Sequence, residues 1–110
     1  MDCKYEYLLT EKAESDLDEV LSYLAGKLSS PQAAKRFLEN IEAAIHEARC
    51  FPDSGVPVEN DLLLYDGIRK KLVGNYALYY LPHHEEKKIY ILRVIYAKRN
   101  PEDVLRQLYS

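Results

Sequence analysis

Residues 67–100 read GIRKKLVGNYALYYLPHHEEKKIYILRVIYAKRN. Apolar residues alternate with charged ones, and two turn signals, Gly74-Asn75 and Pro82 to Glu86, divide the stretch. That predicts a strand over Ile68–Val73, a return strand over Tyr76–Leu81 and a longer strand over Lys87–Ala97. Strands joined so closely pair antiparallel. The stretch holds eight Lys or Arg and two Glu, whereas residues 1–66 hold six positive and fourteen negative side chains. The net charge of −3 therefore conceals a basic sheet, and function is expected there.

Working back from the sheet, two amphipathic helices are predicted. Thr10 is an N-cap candidate with Glu11 and Glu14 in the first turn. Ala13, Leu17, Val20, Leu21, Leu24 and Leu28 form one stripe on a helix over residues 11–27. Its acidic outer face, with Glu14, Asp18 and Glu19, reads as a solvated surface. Ser29-Ser30-Pro31 ends that pattern; Ser30 caps and Pro31 starts the next helix without losing a hydrogen bond. Ala34, Phe37, Leu38, Ile41, Ala44, Ile45 and Ala48 place a second stripe on residues 31–50. The short link makes the helices an antiparallel hairpin, and both stripes are wide enough to need a sheet as cover.

Residues 4–9, KYEYLL, read as a short first strand. Residues 52–66 contain two prolines and a glycine and are expected to be irregular, anchored by Leu62-Leu63-Leu64-Tyr65. After Asn100-Pro101, Val104, Leu105 and Leu108 give a short C-terminal helix one apolar side. The expectation is one domain over residues 1–110. Its class is α+β, a helical hairpin on a mostly antiparallel four-stranded sheet in the order β-α-α-β-β-β, with a short C-terminal helix. The face away from the helices is expected to be left to water or a ligand.

The chain of 110 residues is 47% hydrophobic and 30% charged, an ordinary globular composition. It has no apolar run of membrane-spanning length and no signal-peptide core at MDCKYEYLLTEKAE, so no membrane partner and a cytoplasmic location are expected. Cys3 and Cys50 stand 47 positions apart and are read as reduced, mostly buried thiols rather than a metal or redox motif. His83-His84 is read as a solvated turn, because adjacent residues point apart and no third ligand is evident. Neither a metal nor a cofactor is expected.

The candidate chemistry is cationic. Alternation places Arg69 and Lys71 on one face of their strand, opposite Ile68 and Leu72. A two-residue Gly74-Asn75 turn would set them with Tyr76, Leu78 and Tyr80. A three-residue turn, Val73-Gly74-Asn75, would set them with Ala77, Tyr79 and Leu81. The second is preferred, because it lets Ile68, Leu72, Tyr76, Leu78 and Tyr80 share the helix-covered face, although it also sends Lys70 there. If the last strand curls over the open face, Arg69, Lys71 and Arg99 converge beside a tyrosine, a patch suited to a phosphodiester.

Five segments in order, LTEKAESDLDEVLSYL, SPQAAKRFLENIEAAI, FPDSG, GIRKKLVGNYALYYL and IYILRVIYAKRNPEDVL, make residues 5–105 resemble the RelE/ParE superfamily of bacterial type II toxin–antitoxin toxins. The resemblance implies a growth-inhibiting toxin neutralised by a cognate antitoxin, of the kind linked to plasmid stabilisation. It also implies toxin–antitoxin heterotetramers in some members. It assigns Arg69, Lys71 and Arg99 as the candidate catalytic set; Tyr76, Tyr79, Arg93, Tyr96 and Lys98 are the candidate target-binding residues. Nuclease members carry an arginine after the tyrosine that opens the third strand. Here Ala77 follows Tyr76, and Leu105 falls near the position of a C-terminal catalytic tyrosine, with Tyr109 a turn later. The expected reading is therefore ParE-like inhibition of DNA gyrase. The alternatives are a ribosome-dependent, metal-independent mRNA endoribonuclease and a decayed toxin that only binds its antitoxin.

Overall fold

The computed structural model describes residues 3–58 and 67–98. The predicted C-terminal helix, Arg99, and the Leu62–Tyr65 anchor lie outside the described residues. The elements are β1 (Glu6–Leu9), α1 (Glu11–Ser22), a π-helical turn (Tyr23–Lys27), α2 (Pro31–Cys50), β2 (Val56–Pro57), β3 (Arg69–Val73), β4 (Tyr76–His83) and β5 (Lys88–Tyr96). They form one five-stranded sheet in the order β1-β5-β4-β3-β2. All pairings are antiparallel except β1 with β5, which is parallel. The strand beyond the four expected is β2, two residues of the segment read as irregular.

Both helix starts follow their caps. The Thr10 hydroxyl accepts from the Ala13 N–H at 3.1 Å, and the Ser30 hydroxyl accepts from Ala33 N–H at 3.2 Å. Pro31 occupies the first turn of α2. The expected first helix instead closes in the π-helical turn, where Leu28 N–H reaches back five residues to Tyr23 C=O. Ser29 then takes φ +47°, and the chain reverses into α2. Leu28, at the end of the predicted stripe, is exposed.

The main core lies between helices and sheet. Ala13 and Leu17 of α1 and Phe37, Ile41, Ile45 and Ala48 of α2 pack on Val73, Leu78, Tyr80, Ile89, Ile91 and Val94. The other face is not left to water. Ile68, Ala77, Tyr79 and Ile95 are buried there, with Val58, Leu81 and Leu92 against them. The expectation of an open basic face is corrected accordingly.

The turn explains part of that correction. Val73 pairs with Tyr76, Lys71 with Leu78 and Arg69 with Tyr80, so the connection is the two-residue Gly74-Asn75 turn and not the preferred three-residue one. Gly74 has φ +61°, while Asn75 stays out of the positive-φ region. Glycine at the first central position is what a type II′ hairpin demands; a three-residue loop needs its left-handed residue last, where Asn75 stands. Because strand side chains alternate, one residue of register reassigns the whole strand. Arg69 and Lys71 go to the helix-covered face, Ile68 and Leu72 to the other.

A bulge in β5 sets how α1 docks. Tyr79 pairs with Arg93 but Tyr80 pairs with Ile91, leaving Leu92 extra. A bulge frees backbone groups that the ladder would have used. The Leu92 carbonyl accepts from the Thr10 hydroxyl at 3.0 Å, and Val94 N–H donates to Asp16 Oδ2 at 2.9 Å. Arg93 completes the clamp, donating from Nε to Asp16 Oδ2 at 2.8 Å and from Nη2 to Oδ1 at 2.9 Å. Asp16 is buried yet fully bonded, and its hydrogen bond to Arg93 raises the guanidinium pKa further above its ordinary value. Asp16→Ala takes the carboxylate from a partly buried guanidinium and leaves the Val94 N–H without its acceptor. It is expected to cost about 3–5 kcal/mol in urea unfolding, against about 1–2 kcal/mol for Thr10→Ala. A loss below about 1 kcal/mol in Asp16→Ala would remove the clamp from this account.

Cys3 and Cys50 are not separate thiols. They are joined as a disulfide, with Cα atoms 4.6 Å apart across 47 residues of sequence. The N-terminal segment runs back along the end of α2, where Arg49 Nε donates to Tyr5 C=O at 2.8 Å. That contact brings the two cysteines together, and spacing alone did not disclose it.

Candidate functional site

Arg69 anchors the loop that follows α2. Its Nη1 donates to Asp53 C=O at 2.9 Å and to Gly55 C=O at 2.7 Å, and its Nε lies 3.5 Å from Asp53 Oδ1. Tyr80, fully buried across the hairpin, holds the same loop: its hydroxyl donates to Pro52 C=O at 2.9 Å and accepts from Gly55 N–H at 2.8 Å. The FPDSG segment is thus fixed by two side chains of the sheet that take up its backbone groups. Gly55 is needed for closeness, since a Cβ there would fall 2.5 Å from the Tyr80 hydroxyl and 2.9 Å from Lys70 C=O.

The anchor continues outward. Asp53 Oδ1 lies 3.4 Å from His84 Nε2, and His84 Nδ1 shares a 2.7 Å hydrogen bond with the Tyr5 hydroxyl. Tyr5, His84, Asp53 and Arg69 therefore form a polar line from β1's approach to β3, ending at the surface. His84, read as a solvated turn residue, is exposed but partnered. The sequence signal for this line was faint: FPDSG supplies Asp53, but nothing local ties it to Tyr5 or to His84.

Lys71 takes another partner. Its ammonium is bonded to Glu47 of α2, with the lysine side chain only 9% exposed. Beside this pair a groove of about 600 Å³ opens between α2 and the edge of β3, lined by Asn40, Ala44, Gly55, Val56, Lys70 and Leu72 among others. β2 covers β3 only at Arg69 and Lys70. Among the described residues no strand lies on the outer edge of β3, away from β4, beyond Lys70, and Val56 and Leu72 are 61% and 71% exposed. The result is a short, apolar, unpaired sheet edge beside a groove with cationic stems.

The remaining site candidates sit elsewhere. Tyr76 stacks edge-on with Phe37 at 5.0 Å and with Tyr96 at 5.9 Å. Tyr96 is half-exposed and Lys98 is exposed. A cleft of about 140 Å³ lies here, bounded by Asp16, Glu19, Tyr76, Arg93 and Tyr96. Arg93 is committed to Asp16. Tyr79 is buried on the opposite face. Arg69 and Lys71 share a face but engage different partners, and Arg99 lies outside the described residues.

Burial raises the Tyr79 pKa, and burial followed by Tyr23 and Tyr96 raises that of Tyr76. The fold thus prefers both phenols protonated. Their contribution to stability is complete below the ordinary value of 10.0 and is lost as pH rises through the raised folded values. Unfolding free energy is expected to fall steeply above about pH 10, and the fall should flatten in Tyr79→Phe. Tyr80→Phe, which abandons two loop groups, is expected to cost about 1–3 kcal/mol. Gly55→Ala should cost a similar amount from the clash it creates. Chemical denaturation of the variants checks both.

Comparison with known proteins places this geometry in context. The profile of a family described as the ParE toxin of the type II toxin–antitoxin system parDE matches residues 7–101. Comparison with curated protein sequences gave no match. Among solved structures, a chain of the chromosomal ParDE toxin–antitoxin system from Pseudomonas aeruginosa superposes with TM-score 0.67 at 18% identity, over 88% of this chain and 100% of that one. A chain of the RelBE2 toxin–antitoxin complex from Mycobacterium tuberculosis gives 0.61 at 23% identity, over 84% and 98%. One from the archaeal RelE–RelB complex of Pyrococcus horikoshii gives 0.54 at 20%, over 88% and 99%. At these identities the structural likeness speaks for the fold.

Proposed function

Since this chain belongs to the ParE toxin family of type II toxin–antitoxin systems, we propose that it arrests bacterial growth by binding DNA gyrase and that a cognate antitoxin neutralises it. The observation that carries this reading is the employment of Arg69 and Lys71. In a nuclease those cations would face the scissile phosphate and stabilise its developing charge. Here Arg69 is tied to the FPDSG loop and Lys71 to Glu47, on the helix-covered side of the sheet. Ala77, buried on the far face, supplies no replacement. Such a sheet is suited to presenting a rigid surface to a protein target.

The target surface in this reading is the end of the sheet at Tyr76, Tyr96 and Lys98, where exposed aromatic area meets charge; aromatic residues dominate binding at protein interfaces. The antitoxin surface is the groove beside β3. An extended segment can add a strand to the free edge and seat apolar side chains against Val56 and Leu72. Absent from the second reading, ribosome-dependent mRNA cleavage through Arg69, Lys71 and Arg99, is any demand for that aromatic end.

Purified toxin should block gyrase supercoiling while leaving mRNA on translating ribosomes uncut. Mapped cuts at the decoding site, with supercoiling intact, would sink the gyrase reading. Tyr96→Ala is expected to relieve growth arrest and to weaken gyrase binding by about tenfold or more. Leu72→Glu, at an exposed position, should leave toxicity intact and weaken antitoxin binding by a similar factor; calorimetry of the two binding steps separates the surfaces.

A further inference from the structure

His46 and Cys50 are four residues apart on the last turns of α2, so they share one helix face. The N-terminal segment lays Cys3 on the same spot. His46 Nε2 lies 3.8 Å from Cys3 Sγ and 3.7 Å from Cys50 Sγ, closer than Nδ1, which is 4.0 Å from Cys3 Sγ. All three donor atoms lie within 4.8 Å of one another. Neither the polar line at Arg69 nor the groove beside β3 uses any of them.

In a tetrahedral zinc site with bonds of about 2.3 Å to sulfur and 2.0 Å to nitrogen, a sulfur and a nitrogen ligand stand about 3.6 Å apart. The two sulfur–nitrogen separations here are nearly that already. Two thiolates and an imidazole are a donor set that selects a borderline-soft cation of filled d shell. The position favours a cation as well, because the C-terminal turn of a helix carries the negative end of its dipole. Arg49, on the same turn, is engaged by Tyr5 C=O and by the Tyr7 ring. His46 is exposed, and both cysteines are partly so, which leaves an entry path and a fourth position for water.

We propose that, when the Cys3–Cys50 bond is reduced, Cys3, His46 and Cys50 form a binding site for one zinc-class divalent cation. Reduction and binding are separate steps. A phosphine reductant gives two electrons to the disulfide and takes oxygen from water, becoming phosphine oxide, and the two protons of that water go to the sulfurs. The cation then displaces both thiol protons to solvent and binds the two thiolates and His46 Nε2. Disulfide and metal are mutually exclusive states of one cluster, and each fastens the N-terminal segment to the end of α2. In a reducing compartment, where disulfides are rare, the metal takes over that fastening.

The full-length protein, reduced with a phosphine and freed of metal, is titrated with Co(II). The expected result is saturation at one ion per chain, with a thiolate-to-cobalt charge-transfer band and the strong visible bands of four-coordinate cobalt, both abolished by one equivalent of Zn(II). Zinc should also shield both thiols from alkylation. Cys3→Ser and Cys50→Ser are expected to lose the charge-transfer band. His46→Ala, a surface change with the fold checked by circular dichroism, should weaken zinc binding at least about tenfold, the size that loss of even an outer partner of a metal site produces. Any of three results overturns the proposal: no charge-transfer band in the reduced protein, one ion per two chains, or His46→Ala binding as the parent does. Equal binding by the oxidised protein would overturn it too.

Discussion

The docking of α1 on a bulged strand is the constraint from which the rest of the architecture follows. The extra residue in β5 leaves a carbonyl and an N–H without ladder partners, and α1 supplies both: Thr10 for Leu92 and Asp16 for Val94. Neither contact exists without the bulge, and the bulge would leave buried polar groups unmatched without α1. Arg93 is swung to the helix side by the same irregularity and closes the fork on Asp16. One local defect in a strand thereby fixes the helix in rotation and translation. Through the hairpin it fixes α2 as well, and with α2 the ceiling over Arg69 and Lys71.

Much of this was legible in the residues, and what escaped has a common physical cause. Thr10, Ser30 and Pro31 marked both helix starts because capping is local. The stripes of α1 and α2 found their core positions, and the antiparallel strands followed from short connections. Asp16 was passed over because it sits among Glu14, Asp18 and Glu19, and its neighbours on an acidic face do not announce a partner 77 residues away. The register at Gly74-Asn75 was readable in two ways, and gathering Ile68, Leu72, Tyr76, Leu78 and Tyr80 on one covered face favoured the wrong one. Lys71 in fact lies on the covered face with a counter-charge waiting on α2, which alternation along one strand cannot reveal. The joining of Cys3 to Cys50 depends on where the N-terminal segment runs, which is again a long-range fact.

The candidate site is changed in kind by these long-range contacts. A basic sheet read from sequence implies free cations; the structure divides them between scaffolding and surface. Arg69 and Tyr80 hold the FPDSG loop from beneath, and Gly55 lets the loop come close enough to be held. Lys71 balances Glu47. Exposed area is left instead at the β3 edge, with Val56 and Leu72, and at the Tyr96 end of the sheet. The sheet thus presents exposed surfaces at two separated places, and filling one leaves the other open.

The place of β5 in the chain carries one more consequence. It is the last of the described strands, yet it lies between β1 and β4 and is bonded to α1 and its cap at Leu92 to Val94. During synthesis, β1 and α1 emerge early and have nothing to pair with until residues 88–96 have left the exit tunnel. At about 5–20 residues per second, the helical hairpin waits several seconds as an amphipathic fragment. Interrupted translation therefore leaves β1 and α1 without the strand that joins them to the rest of the sheet.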